Sequence, residues 1–263
     1  MSKTNRGTIE GEEYEKEFCV RFNKRDSNID LTCLSNINLN NIYAVHVNRH
    51  KFSSITQKKV KPKSDAFLAK LTNNQVIELQ ERNFFIDEQF FHKKLEFIKN
   101  SGVSIKNKGS KDYQIHKFNF NAFKRIFPDE FLFIGAQVYS TPRMISKNSI
   151  LLKNFQKDKE NFLNHFKESF DVNDSDENKY KKIKTFCNNE IKKIIEKSEN
   201  VNNIVFTGKN VFEDPFYASF FFQDDVLSPI NEVINNKFSV TTGSGRSKAK
   251  SCAGYSIKIT PTS

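Results

Sequence analysis

The sequence predicts a single α/β domain in which a mixed sheet is flanked by helices, followed by an α-rich extension. Two observations carry this prediction. Apolar residues switch along the chain between a period near four and short continuous runs, in the order helix, strands, helix, strand. No repeat and no Pro/Gly-rich linker interrupts the 263 residues, and 37% of them are hydrophobic, enough for one sizeable core. The expected division is a core over about 8–140 and a helical extension with a basic tail over about 141–263.

Between Thr8 and Lys24, Tyr14, Phe18 and Phe22 recur every four residues, which predicts an amphipathic helix with Glu12, Glu15 and Arg21 around it. Residues 42–49 and 65–71 read as strands. The stretch 76–99 reads as mostly helical, with Asn83-Phe84-Phe85 ambiguous between helix and strand. Gly102–Lys106 predicts a short strand, Asn119–Phe127 a helix, and Phe131–Tyr139 an apolar strand suited to the centre of a sheet. Helices are expected around 154–170 and 178–198, split by the polar loop Asp171–Asn178. A hairpin over 237–259 is expected to bend at Thr242-Gly243-Ser244-Gly245. The run Phe216–Phe222 is read as core, because aromatic clusters of this kind bury themselves.

The chain carries 42 Lys+Arg against 31 Asp+Glu, a formal net charge of +11. Such an excess attracts a polyanion or an anionic membrane surface. Codon bias would raise Glu together with Lys and does not account for the imbalance. Cys19, Cys33, Cys187 and Cys252 are widely spaced with no CxxC pair, which argues against a zinc ribbon or a disulfide framework. Residues 1–6 lead into an acidic stretch, and no apolar run approaches the roughly 18 residues of a membrane span. A cytoplasmic protein is the expectation. His46 and His50 are four apart, but on a strand that spacing does not share a face, so no zinc site is read there.

Chemistry concentrates in Lys61-Pro62-Lys63-Ser64-Asp65 and in Val103-Ser104-Ile105-Lys106-Asn107-Lys108. An Asp that opens a strand offers a ligand to Mg²⁺, which neutralises phosphoryl oxygens and supplies hydroxide near neutral pH. A Lys on a neighbouring strand can stabilise the deprotonated water and touch the phosphate. Asp65 and Lys106 are separated by 40 residues, which segment 76–99 would fill as an insertion between adjacent strands. The tail after Glu232 holds no acidic residue, yet contains Lys237, Arg246, Lys248, Lys250 and Lys258 among small residues that let backbone N–H groups approach phosphates. The lysines of 178–198 read equally as a phosphate-tracking face or as a solvated surface.

Ser64-Asp65 after a basic, Pro-containing turn, followed by a strand ending in Lys106, resembles the PD-(D/E)xK type II restriction endonucleases of the MspI-like group. Tyr14-Glu15-Lys16, with Phe18 and Arg21-Phe22, resembles their N-terminal helix, whose Glu faces the metal site. Asn107–Phe118 resembles their loop after the catalytic Lys, and 242–250 their Gly/Ser/Lys tail. About 140–235 has no counterpart. The resemblance implies Mg²⁺-dependent, sequence-specific cleavage of double-stranded DNA to 5′-phosphate ends, with a DNA methyltransferase as genetic partner. It implies Asp65, Lys106, Glu15 and Ser104 as the catalytic set, with Mg²⁺ on Asp65 and Glu15. DNA contacts are implied for Lys63, Ser64, Lys108, Gln114, Lys117, Arg246, Lys248 and Lys250.

One departure matters. Ser104 stands where the family places a carboxylate, or Asn or Gln in this group, and a hydroxyl is a poor Mg²⁺ ligand. The second acid is therefore assigned to Glu15, with Glu78 and Glu81 as alternatives. A repair nuclease of the same fold and a non-catalytic nucleic-acid-binding protein stay open, as do monomer and homodimer.

Overall fold

A computed structural model describes residues 6–47, 62–87, 89–91, 95–109, 113–138, 159–231, 238–244 and 255–262. The chain forms two compact units. One comprises 1–111 and 206–235, and the other 112–205 and 236–263.

The first unit is built on a mixed sheet. Its strands are β1 (Ile42–Val47), β2 (Ala66–Lys70), β3 (Phe85–Ile86), β4 (Glu96–Phe97), β5 (Val103–Ile105), β7 (Phe220–Gln223) and β8 (Val226–Pro229), in the order β3-β1-β2-β5-β7-β8. β1 is antiparallel to β2 over Ile42↔Lys70 to His46↔Ala66. The far edge of β2 is shared. β5 pairs at Ala66↔Val103, while β4 pairs at Ala69↔Phe97 and Lys70↔Glu96. β5 then runs parallel to β7, with Ile105 beside Phe222.

Helix α1 (Arg6–Asn23) covers one face of this sheet. Glu15, Phe18, Cys19 and Phe22 form its buried stripe at i, i+3, i+4 and i+7. The rings of Phe18, at 4.5 Å, and Tyr14, at 6.1 Å, pack tilted against Phe222. At the C-terminal end the Asn23 amide exchanges two hydrogen bonds with the backbone of Ala44. Arg21 binds Asp26 at 2.7 Å and Asp225 at 2.5 Å, tying α1 to the tip of the β7–β8 hairpin. On the other face, Phe67 packs edge-on against Phe91 and Phe216. Phe216 and Phe222 are buried, as expected of core.

The helix expected over 76–99 is shorter. Helix α2 spans Asn73–Gln80, opened by a capping box between Thr72 and Gln75. Asn83 and Phe84 then take positive φ, which a helix cannot continue, and the chain turns into β3.

The second unit has a three-stranded antiparallel sheet of β6 (His116–Phe118), β10 (Tyr255–Pro261) and β9 (Phe238–Ser244). It carries helices α3 (Phe120–Ile126), α4 (Phe131–Val138), α5 (Lys159–His165), α6 (Asp176–Lys197) and α7 (Glu199–Phe206). The strand expected over 131–139 is a helix, α4. Asp129 caps its first turn through Phe131 N at 2.8 Å, and α4 packs on α6, whose inner stripe is Ile183, Cys187, Ile191 and Ile195. A buried helix that is apolar on every side has the same sequence texture as a central strand. The hairpin near the C-terminus forms, but Thr242–Ser244 lie inside β9, with Thr242 opposite Ile257, so the chain does not bend there. Cys19, Cys33 and Cys187 are free thiols, and Cys252 lies outside the described residues. Among the described residues no helix is long and apolar enough to cross a membrane.

Candidate active site at the split end of the first sheet

The site grows from the point where β2 and β5 begin to pair. Asp65 stands one residue before β2 and is 6% exposed. Its N–H donates to the Val103 carbonyl at 2.8 Å, and its carboxylate Oδ2 accepts the Ile105 N–H at 2.7 Å. The carboxylate thus takes the place of a backbone acceptor and is held against the last turn of the ladder. On its other side the Asp65 carbonyl accepts from Val47 N at 3.4 Å.

Ser104 and Lys106 follow by alternation. Val103 and Ile105 lie in the core that α1 covers, so Ser104 and Lys106 project from the opposite side of β5. Ser104 is buried, whereas Lys106 is half-buried and anchored by its N–H to the Phe222 carbonyl at 2.9 Å. Lys63, also half-buried, lies within electrostatic reach of Asp65 and Lys106. Its ammonium is pushed down to about 7 by burial and by the Lys106 charge, against the opposing pull of Asp65.

The turn that delivers these groups is set by a loop far away in sequence. Lys63 N and Ser64 N both donate to the Phe216 carbonyl, at 3.0 and 3.1 Å, and the Ser64 hydroxyl donates to the Pro215 carbonyl at 3.0 Å. Ser64 is fully buried, so its hydroxyl serves this turn and not an external ligand. A side chain at Gly102 would strike the Tyr217 carbonyl and come within 2.6 Å of the Pro215 carbonyl, so only glycine admits the loop here. Gly208, at φ +75°, likewise lies where a Cβ would come within 2.7 Å of Lys63 Cβ.

Glu15 is 5% exposed, while its neighbours Glu12, Glu13 and Glu17 are exposed. It is the charged member of the buried stripe of α1, which packs on the side of β5 away from Lys106. Glu78 and Glu81 are solvent-exposed on and just after α2. Lys108 is exposed and paired at 2.6 Å with Asp225, and the Gly109 N–H donates to Asp224 at 2.5 Å. Gln114 and Lys117 are exposed in the second unit, and Arg246, Lys248 and Lys250 lie outside the described residues. In α6, Lys182, Lys192 and Lys193 are paired with Asp174, Glu196 and Glu190.

The structure thus brings Asp65, Lys106 and Lys63 into one cluster, with Ser104 beside it. Among the described residues, no three His, Cys, Asp or Glu side chains converge on a point where a metal ion would sit. Asp65 with one further acid still fits Mg²⁺, which takes one or two carboxylates and keeps several waters. His46, level with Ala66 on β1, is buried and pushed down to about 4, chiefly by burial and then by Lys16; His50 lies outside the described residues.

No protein-family model matches the sequence, and neither does any curated protein. Among solved structures, the chain is similar to restriction endonuclease MspI in complex with its cognate DNA. The TM-score is 0.47 at 12% sequence identity, over 96% of this chain and 89% of that one.

Proposed function

We propose that the chain is a type II restriction endonuclease, cleaving double-stranded DNA at a specific sequence to leave 5′-phosphate ends. The observation that carries this reading is the Asp65 carboxylate, clamped by the Ile105 N–H at a strand end whose neighbouring strand leads into Lys106. The order of sequence motifs and the net charge of +11 support it.

Asp65 and Glu15 would hold Mg²⁺, which when bound lowers the pKa of a water and neutralises phosphoryl charge. Clamping by Ile105 N–H fixes one Asp65 oxygen, so the other is presented in a single direction without reorganisation. Lys106 orients the attacking water and stabilises its deprotonated form. Ser104, buried beside it, adds at most a hydrogen bond. Protection of host DNA would require a methyltransferase of the same specificity.

The test is digestion of plasmid DNA with Mg²⁺, which should give discrete fragments. Asp65→Ala and Lys106→Ala should each lower cleavage at least about 100-fold while leaving duplex affinity in Ca²⁺ within a few-fold, because contacts spread over a basic surface dominate binding. Cleavage by Asp65→Ala at more than a few per cent of the parent rate would remove the assignment. Cleavage only at nicks or junctions would point to a repair nuclease, and none at all to a binding protein, the reading that Ser104 favours.

A further inference from the structure

Resting on the nuclease reading, we propose that Asp225 is a positioning residue for Lys106: it fastens the chain just beyond β5 to the tip of the β7–β8 hairpin and so fixes where that lysine stands. The parallel ladder between β5 and β7 ends at Ile105 and Phe222. Beyond it the two chains stay joined. The Lys106 N–H donates to the Phe222 carbonyl at 2.9 Å, the Lys108 ammonium to the Asp225 carboxylate at 2.6 Å, and the Gly109 N–H to the Asp224 carboxylate at 2.5 Å. Lys106 is thus held at its own N–H and again two and three residues further on.

The hairpin tip is suited to this task. Asp224 and Asp225 form its two-residue turn, with φ of +52° and +64°. Glycine is the usual second residue of such a turn, and an aspartate there costs backbone strain. What the aspartate adds is a carboxylate shared by two cations, Arg21 at 2.5 Å and Lys108 at 2.6 Å. Arg21 also binds Asp26 at 2.7 Å, and the Asp225 carbonyl accepts the Asp30 N–H at 2.9 Å, so the tip is anchored to α1 and to the segment that follows it. A tip anchored on that side can hold the 106–109 chain on the other. The Asp225 carboxyl is kept below the usual carboxylate range, first by Lys108 and then by Arg21, so it is ionised near neutral pH. The Lys108 side chain is 66% exposed, and a pair so open to water adds little stability. Its effect is geometric, which gives Lys108 a task other than the phosphate contact implied by the family resemblance.

The experiment compares the parent with Asp225→Asn, Lys108→Met and the double variant. Each is followed by single-turnover cleavage of one duplex in Mg²⁺, affinity for that duplex in Ca²⁺ across a salt series, thermal unfolding, and hydrogen exchange of the peptide covering 106–109. Asparagine tolerates left-handed backbone, so Asp225→Asn should keep the turn and the unfolding midpoint while weakening the charge-assisted bonds. Each single variant should slow cleavage at least about tenfold, with duplex affinity within about threefold, because a small misplacement of a reacting group is costly. The double variant should cut no more slowly than the slower single, since both changes break one contact. Exchange over 106–109 should rise at least about tenfold while peptides of β1 and β2 stay unchanged. If Asp225→Asn does not fold, Lys108→Met carries the same readouts and Lys108→Arg should restore them. Cleavage by Asp225→Asn within about threefold of the parent, losses that multiply in the double variant, or a salt slope lowered by about one unit in Lys108→Met would each overturn the proposal. Slower cleavage accompanied by a lowered midpoint and faster exchange throughout the first unit would reduce Asp225 to a structural staple, and the proposal falls. A parent that binds but never cuts would refute the nuclease reading, and exchange over 106–109 alone would then decide whether Asp225 fixes Lys106.

Discussion

At the scale of single residues, burial separates groups that look alike in the sequence. Glu15 is one of five glutamates between positions 10 and 17, and its place on the stripe with Phe18, Cys19 and Phe22 takes it out of water. Glu15→Gln is expected to lower cleavage about 100-fold with the unfolding midpoint retained, and Ser104→Ala to lower cleavage by no more than a few-fold. Parallel calorimetry and single-turnover assays check both. Normal cutting by Glu15→Gln with loss in Glu78→Gln or Glu81→Gln would move the second ligand to α2. His46 gives a pH signature of its own. Its folded pKa of about 4 lies below the ordinary 6.5, so the stability it contributes is present above 6.5 and is lost as pH falls towards 4. Between about pH 7 and pH 5 that loss is roughly 2 kcal/mol, and urea unfolding of His46→Gln should show a difference smaller by that amount.

Whole elements were legible where a face alternates and illegible where it does not. Helices α1 and α6 each show a polar side, and their spans follow from the sequence to within a few residues. Segment 131–138 has no polar side, and the Asp129 cap was the better signal than its apolar texture. That Asp65 and Lys106 flank neighbouring strands was readable because both strands were; the roles assigned to them came from the family resemblance. The proximity of Lys63 to them was not readable, since it depends on Pro215, Phe216 and Gly208, about 150 residues further along the chain. Gly102 is where that distant loop is admitted. Gly102→Ala must push a backbone carbonyl aside, at an expected cost of at least about 1–3 kcal/mol in denaturant unfolding, and cleavage should fall with it because Ser64 and Asp65 move.

For the molecule as a whole, under the proposed function charge would decide how it meets DNA. The tail residues Lys248 and Lys250 lie outside the described residues, but their chemistry is explicit. If they meet phosphates, alanine at either should lower the salt slope by about one unit and weaken cognate and scrambled duplexes alike. Arg246 has the fork to bond a guanine edge at two points, so its loss should cost cognate binding about 1–3 kcal/mol more than nonspecific binding. Competition binding of Asp65→Ala in Ca²⁺ measures both; unchanged slopes and affinities in all three variants would show that the DNA lies elsewhere. The β5–β7 pairing has a consequence of another kind, for the order of events during synthesis. Residues 106–219 must be translated between Ile105 and Phe220, its parallel partner strand, and at cellular elongation rates this takes on the order of ten seconds. Throughout that interval the nascent first sheet ends at β5, with the hydrogen-bonding edge that β7 will occupy still bare. The ribosome thus releases a strand edge, and the acid and lysines beside it, well before the segment that will cover that edge exists.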